Sequence, residues 1–233
     1  MESSRSIAKL NLREWVDENR DRLRPPVSNR QLFPESADAI VFVSGGPNTR
    51  NDFHVNPTEE LFFQLTGDIA VRVRPLDGSP PHDVVVREGE MYLLPRWLPH
   101  RPQRPAGTVG LVIEFPRGLD ARGRPQEDAL RWYCAGCDTL VYEARWVLKK
   151  IDEDLKRIME DFWGGPEERR RCPSCGTVIE RAGEFTLGGR APGESADGTS
   201  GLAGAREQAA EAGPRGAASA PDGAAAKPGA RSP

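Results

Sequence analysis

The chain has 233 residues, a formal net charge of −3 and 37% hydrophobic residues, with 24 Gly and 21 Pro but only 4 Cys and 3 His. The near-neutral balance speaks against a dedicated nucleic-acid binder, which is basic on one face. No run approaches the ~18 apolar residues of a membrane span, and the N-terminus lacks the apolar core of a secretory signal. The expected location is therefore the cytoplasm, where four cysteines are thiolates or metal ligands rather than disulfides.

Asn11-Leu-Arg-Glu14 has capping-box spacing. It predicts a helix running to about Leu23, stopped by Arg24-Pro-Pro26. Short apolar, β-branched runs follow: 39–44, 61–65, 69–74, 84–86, 91–94 and 109–115. Gly- and Pro-containing turns separate them, the pattern of an all-β sandwich or barrel. Ile69 to Arg74 alternates as a half-exposed strand does. Arg117 to Asp128 is polar and turn-rich. Arg131-Trp-Tyr-Cys134 opens a smaller region, within which Ile151 to Phe162 has helical periodicity and is ended by Gly164-Gly-Pro166. From Ala191 onward about seven residues in ten are Ala, Gly, Pro or Ser, and no aromatic residue occurs. Such a segment has too little apolar surface to offset its ordering entropy. The expected divisions are 1–30 (N-terminal helix and pocket edge), 31–128 (barrel), 129–185 (cysteine region) and 186–233 (disordered tail).

Two groups of residues carry chemistry. His54, Glu60 and His100 form a two-imidazole, one-carboxylate set, the facial arrangement associated with non-haem Fe(II). Taken alone these residues are equally those of loops or a surface. His82, in Ser-Pro-Pro-His82-Asp, reads as a surface histidine. Cys134-Ala-Gly-Cys137 and Cys172-Pro-Ser-Cys175 use every cysteine. Two CxxC turns close a tetrahedral four-thiolate site for zinc or iron. A closed site leaves no position for substrate, so a structural staple is favoured over electron transfer or iron delivery. The acidic residues between the two pairs (Asp152, Glu153, Asp154, Glu160, Asp161) weaken any attraction to phosphate.

The spacing of the first group resembles the two cupin motifs. His54, Glu60 and Gly67 fit the first, with Asn56 in place of its second histidine. Gly89, Pro95 and His100 fit the second, with Trp97 in place of its glycine and Arg104 in place of its asparagine. The cupin spacing favours Glu60 over Glu59 as ligand. Within the cupins, several segments are similar to the 3-hydroxyanthranilate 3,4-dioxygenase family. They are Arg24-Pro-Pro-Val-Ser-Asn29, Asn51-Asp-Phe-His-Val-Asn-Pro-Thr-Glu-Glu60, Leu94-Pro-Arg-Trp-Leu-Pro-His-Arg-Pro-Gln-Arg104, Gly110-Leu-Val-Ile-Glu114 and Trp132-Tyr-Cys-Ala-Gly-Cys137.

That resemblance implies a cupin barrel of jelly-roll type and a homodimer packed through barrel edges. It implies Fe(II)-dependent cleavage of the 3-hydroxyanthranilate ring by O2. The product would be 2-amino-3-carboxymuconate semialdehyde, the precursor of quinolinate on the route from tryptophan to NAD. His54, Glu60 and His100 would hold the iron. Arg104 would grip the substrate carboxylate, Arg50 would face O2 and stabilise developing negative charge, and Glu114 would act as acid/base. Glu60 and Asn29 would border the substrate. A wall of Val43, Phe53 and Trp97 is expected, although core packing explains those three equally well. Without the resemblance, Arg50, Arg104 and Glu114 each read as solvated charges. A second iron, with zinc as rival, would sit on the cysteines. Two rival readings stay open: a non-catalytic cupin joined to a zinc-ribbon binding module, and another mononuclear-metal cupin enzyme such as an isomerase or thiol dioxygenase. Neither requires Arg50, Arg104 and Glu114 together.

Overall fold

A computed structural model describes residues 9–23, 28–36 and 38–187. The expected helix stop at 24–26 and nearly all of the expected tail fall outside these residues. Helix α1 (Leu12–Glu18) is capped by Asn11, whose side chain accepts from the backbone N–H groups of Arg13 and Glu14. It ends earlier than the expected Leu23. Asn19 turns its side-chain amide back onto the Trp15 carbonyl at 2.8 Å, and a single 3-10 turn, Arg20–Arg22, follows.

Eleven strands follow among the described residues: β1 (Asn29–Gln31), β2 (Ile40–Gly45), β3 (Asp52–Val55), β4 (Glu60–Thr66), β5 (Ile69–Val73), β6 (His82–Val86), β7 (Met91–Leu94), β8 (His100–Gln103), β9 (Val109–Glu114), β10 (Asp128–Tyr133) and β11 (Leu140–Trp146). Helix α2 (Ile151–Gly164) and a 3-10 turn (Glu167–Arg170) complete the order. The strands form two antiparallel sheets, β1-β2-β9-β4-β7 and β11-β10-β3-β8-β5-β6. This is the two-sheet barrel expected of a cupin.

Side chains alternate across each strand, and that alternation places the core. Phe42, Phe62, Leu94 and Val112 of the first sheet meet Val71, Val73 and Leu130 of the second. Each such burial contributes about 1.5–3 kcal/mol. On the outer face of β2 and β9, Val43 and Val109 pack under Val16 of α1. β5 alternates as expected, with Ile69, Val71 and Val73 buried on the inner face and Arg72 part-exposed; the departure is Ala70, which is buried as well.

The boundary expected between 128 and 129 falls inside the barrel. β10 pairs with β3 on one side and β11 on the other, so the strand leading to the first CxxC belongs to the six-stranded sheet. Helix α2 buries Ile151, Leu155, Ile158 and Phe162 against it. Phe162 stacks on Trp132 with ring centroids 4.0 Å apart. His82 opens β6 and is exposed, as a surface histidine is.

Candidate active site and its metal centres

β3 and β8, each four residues long, lie side by side with His54 opposite His100. Glu60 begins β4 in the other sheet, with Glu114 of β9 and Leu94 of β7 as its neighbours. The three side chains therefore converge across the barrel interior, all of them buried. One donor atom from each lies within 4.8 Å of the others. His100 Nε2 is 3.0 Å from Glu60 Oε2. Two donors about 2.1 Å from one metal at a right angle stand about 3 Å apart, so this spacing fits a shared ion.

Neighbouring groups fix the ligands' proton states. His100 Nδ1 lies 3.0 Å from the Leu98 carbonyl. A carbonyl only accepts, so Nδ1 carries a proton and Nε2 is the nitrogen that faces Glu60 and would face a metal. Asn56, in the place of the motif's second histidine, donates to Glu60 Oε2 at 3.1 Å. Burial opposes ionisation of Glu60, but His100 outweighs it and holds the carboxyl below its usual range. His54 Nε2 meets Asp128 Oδ2 at 2.8 Å. Burial disfavours charge on this imidazole, yet Asp128 more than offsets that and its pKa is raised. The donor set matches a divalent metal with carboxylate and imidazole ligands.

A cavity of about 90 Å³ opens on these residues, room for several waters or one compact planar molecule. Arg50, Arg104, Glu114 and Asn29 all line it. Arg50 is engaged with Asp52, Nε at 3.2 Å and Nη2 at 2.5 Å. Burial works against its charge, and Asp52 more than compensates. Arg104 is only 2% exposed, and among the described residues no carboxylate lies within ion-pair distance of it. Its guanidinium meets Gln64 Oε1 at 3.3 Å, and burial brings its pKa down to about 10. Gly110 makes this placement possible, because a Cβ there would stand 2.8 Å from Arg104 Nη1. Asn48 anchors the Arg104 backbone, accepting from its N–H at 2.9 Å and donating to the Pro102 carbonyl at 2.9 Å. Glu114 is lifted to about 7 by burial, reinforced by the Glu60 charge, despite Arg117 beside it.

The expected wall is corrected. Val43 and Phe53 each neighbour an inward residue, Phe42 and His54, and so face the other way. Val43 lies under α1, and Phe53 packs on Tyr133. Trp97 is 38% exposed. Its φ of 64° shows why the motif carries glycine at this position. The apolar lining comes instead from Phe42, Phe62 and Val112, and from Ile151, Leu155 and Met159 of α2. The sequence reading also missed Asp52, Asn48, Gln64, Arg117 and Asp128. The amphipathic period of α2 was visible, but periodicity does not say what a buried face covers.

The segment that carries this pocket matches a known family. A family model described as 3-hydroxyanthranilic acid dioxygenase matches residues 4–163. The chain belongs to that family. A 3-hydroxyanthranilate 3,4-dioxygenase from Jannaschia sp. (strain CCS1) is 44% identical over 173 residues, 74% of this chain and 91% of its own. One of that name from Coccidioides immitis (strain RS) is 40% identical over 175 residues, 72% of this chain and 88% of its own. Among solved structures, a cupin-2 domain-containing protein from Shewanella frigidimarina is 20% identical, covers 38% of this chain and 79% of its own, and has a TM-score of 0.32.

In this 3-hydroxyanthranilic acid dioxygenase family member the family match stops before Cys172 and Cys175, so the cysteine site stands on its own geometry. The four sulfurs lie within 4.8 Å of one another. Cys134–Cys175 and Cys137–Cys172 are each 3.5 Å apart, close to the separation of about 3.8 Å in a tetrahedral thiolate site. The two turns are built alike. Cys134 N–H donates to the Thr139 carbonyl and Cys172 N–H to that of Thr177, both at 2.8 Å. Asp138 and Gly176 take the equivalent left-handed position. The Thr139 hydroxyl and backbone N–H lower the Cys137 thiol to about 6, whereas Cys134, despite backbone N–H groups that favour its thiolate, is raised to about 11 by burial and the neighbouring sulfurs; a bound cation would favour the thiolate at all four. No helix among the described residues is long and apolar enough to cross a membrane.

Proposed function

We propose that this chain opens the ring of 3-hydroxyanthranilate with O2, giving 2-amino-3-carboxymuconate semialdehyde, which closes to quinolinate. One observation carries the reading. The buried Arg104 guanidinium lacks a carboxylate partner among the described residues and lines the same cavity as the His54, Glu60 and His100 donors. An unpaired buried charge is costly, and a substrate carboxylate relieves that cost through two parallel hydrogen bonds. A non-catalytic cupin leaves such a group without a role, and the family match favours this substrate over that of another cupin enzyme.

His54, Glu60 and His100 would hold Fe(II). When bound, the iron would supply the Lewis acidity and electron transfer that activate O2 and the substrate's ring hydroxyl and amine. Arg104 orients the ring by its carboxylate. Glu114, with a pKa of about 7, suits both taking a proton from the substrate hydroxyl or amine and returning it. Arg50, held by Asp52, offers a fixed positive charge to electrons moving onto oxygen. Asn29 on β1 borders the substrate at the mouth. Phe42, Phe62 and Met159 exclude water around the ring. The cysteine site would hold a second iron, or zinc, as a staple.

A homodimer is part of the same reading. The outer face of the first sheet carries Val41, Ile113, Leu61 and Leu93 in one row, with Phe63 and Met91 in the next. Met91 and Leu93 are 62% and 54% exposed on the edge strand. A patch of this kind marks an interaction surface, and a second copy offers the same apolar rows.

The test is turnover of anaerobically Fe(II)-loaded protein given 3-hydroxyanthranilate and then O2. A transient near-UV absorbance that decays to quinolinate is the expected result. No O2 uptake under those conditions contradicts the proposal.

A further inference from the structure

Arg117 lies outside every motif, three residues beyond Glu114 in the irregular segment after β9. Its side chain is 3% exposed, and each of its five N–H donors has a partner. Nε donates to Asp128 Oδ1 at 2.6 Å. Nη2 donates to Asp128 Oδ2 and to Glu114 Oε2, both at 2.6 Å. Nη1 donates to the Phe115 carbonyl at 2.7 Å and to Thr58 Oγ1 at 3.3 Å. Asp128, itself fully buried, passes the contact on to His54 Nε2 at 2.8 Å. One guanidinium therefore joins the Glu114 carboxylate in one sheet to the His54 imidazole in the other.

We propose that Arg117 and Asp128 are positioning residues for the ring-opening site: Arg117 fixes the Glu114 carboxylate and, through Asp128, the His54 ring. The inference rests on the function proposed above. A planar fork with all donors engaged has one rotamer, and so do the two carboxylates it grips. Asp128 occupies His54 Nε2, which leaves Nδ1 as the nitrogen for a metal, and a carboxylate on the far nitrogen of a metal-ligating histidine sets its tautomer and ring plane. Asp128 supplies that carboxylate, and Arg117 keeps Asp128 from turning. Trp146 limits the ring from its other side, lying 6.1 Å from it with planes 20° apart. A purely structural role has to be separated from this one, because the same pair also closes the loop between β9 and β10.

Arg117→Lys keeps the charge but cannot serve both carboxylates as a fork. Fe(II) affinity is measured by anaerobic competition with a chelator, alongside kcat, KM and thermal stability. The expected result is Fe(II) binding weakened about 10- to 100-fold. kcat falls at least about tenfold, while KM stays within about threefold because Arg104 is untouched. Fe(II) affinity and kcat within about twofold of wild type, with only the melting temperature lowered, would overturn the proposal. If Arg117→Lys does not fold, Asp128→Asn is measured in the same way. Weakened Fe(II) binding then supports the proposal, and unchanged binding overturns it. Failure of the underlying reading is a different result, namely an unmodified, Fe(II)-loaded protein that consumes no O2.

Discussion

The barrel centre takes its three ligands from three strands in two sheets and buries them all, whereas the cysteine centre takes four from two short turns and leaves Cys137 and Cys175 exposed. Around the first lie titratable groups with displaced pKa values and a cavity; around the second lie backbone N–H groups and two threonine hydroxyls. An open three-ligand site beside a cavity is equipped for chemistry, and a closed four-ligand site for holding chain segments together. The two are also physically linked. Helix α2 lies between the CxxC pairs, and Ile151, Leu155 and Met159 on it line the cavity. A metal held by the four cysteines would thus close the segment that supplies one wall of the pocket.

The largest effect that sharpens this contrast concerns Glu114. Glu114→Gln is expected to lower kcat by about 10²- to 10⁴-fold, the usual contribution of a positioned acid/base. In the unmodified protein kcat/KM should rise with pH through about 7, where Glu114 loses its proton, and that limb should be missing in the variant. The same shift has a sign in stability. The folded carboxyl titrates near 7 and the unfolded one near 4.3, so between those values the folded state binds more protons. The contribution of this group to stability therefore falls as pH rises across that window, and Glu114→Gln should not show the decline. A wild-type profile flat through pH 7 would remove Glu114 from the chemistry.

Next in size is Arg104. Arg104→Ala should cost about 3 kcal/mol of binding, roughly 10²-fold in kcat/KM, through loss of two charge-assisted hydrogen bonds. The same molecule lacking its carboxylate should be handled almost equally by wild type and variant. Equal discrimination by both proteins would show that the carboxylate is held elsewhere.

The smallest effect tests the α2 wall. Met159→Ala should raise KM about fivefold, the loss of roughly 1 kcal/mol of apolar contact, with kcat changed less than about twofold. Steady-state kinetics decide it, and an unchanged KM would detach the helix from the site.

Legibility in the sequence followed the same division. The convergence of the four cysteines was readable outright, because they come in two local turns with fixed spacing. The barrel ligands needed motif spacing, since β3 and β8 are too short and too polar to show as strands. The helix Ile151–Phe162 and the turn glycines were visible from periodicity and punctuation. Asp128 and Arg117 were not: Asp128 lies 74 positions after His54 in the chain, and only the pairing of β10 with β3 creates that contact. The expected wall failed on parity, because a residue beside an inward-facing one points outward. Val43 and Phe53 carried no sign of which face was which.

The division of labour between the two centres is tested most directly by counting metals and turnover in two variants, His54→Ala and Cys172→Ser. The expected result is that each binds one metal per chain fewer than wild type. His54→Ala keeps the thiolate metal and its stability but opens no ring. Cys172→Ser melts at a lower temperature and, once its barrel site is loaded with Fe(II), still consumes O2 with 3-hydroxyanthranilate. A His54→Ala protein with full turnover, or an Fe(II)-loaded, folded Cys172→Ser protein with none, would contradict the account.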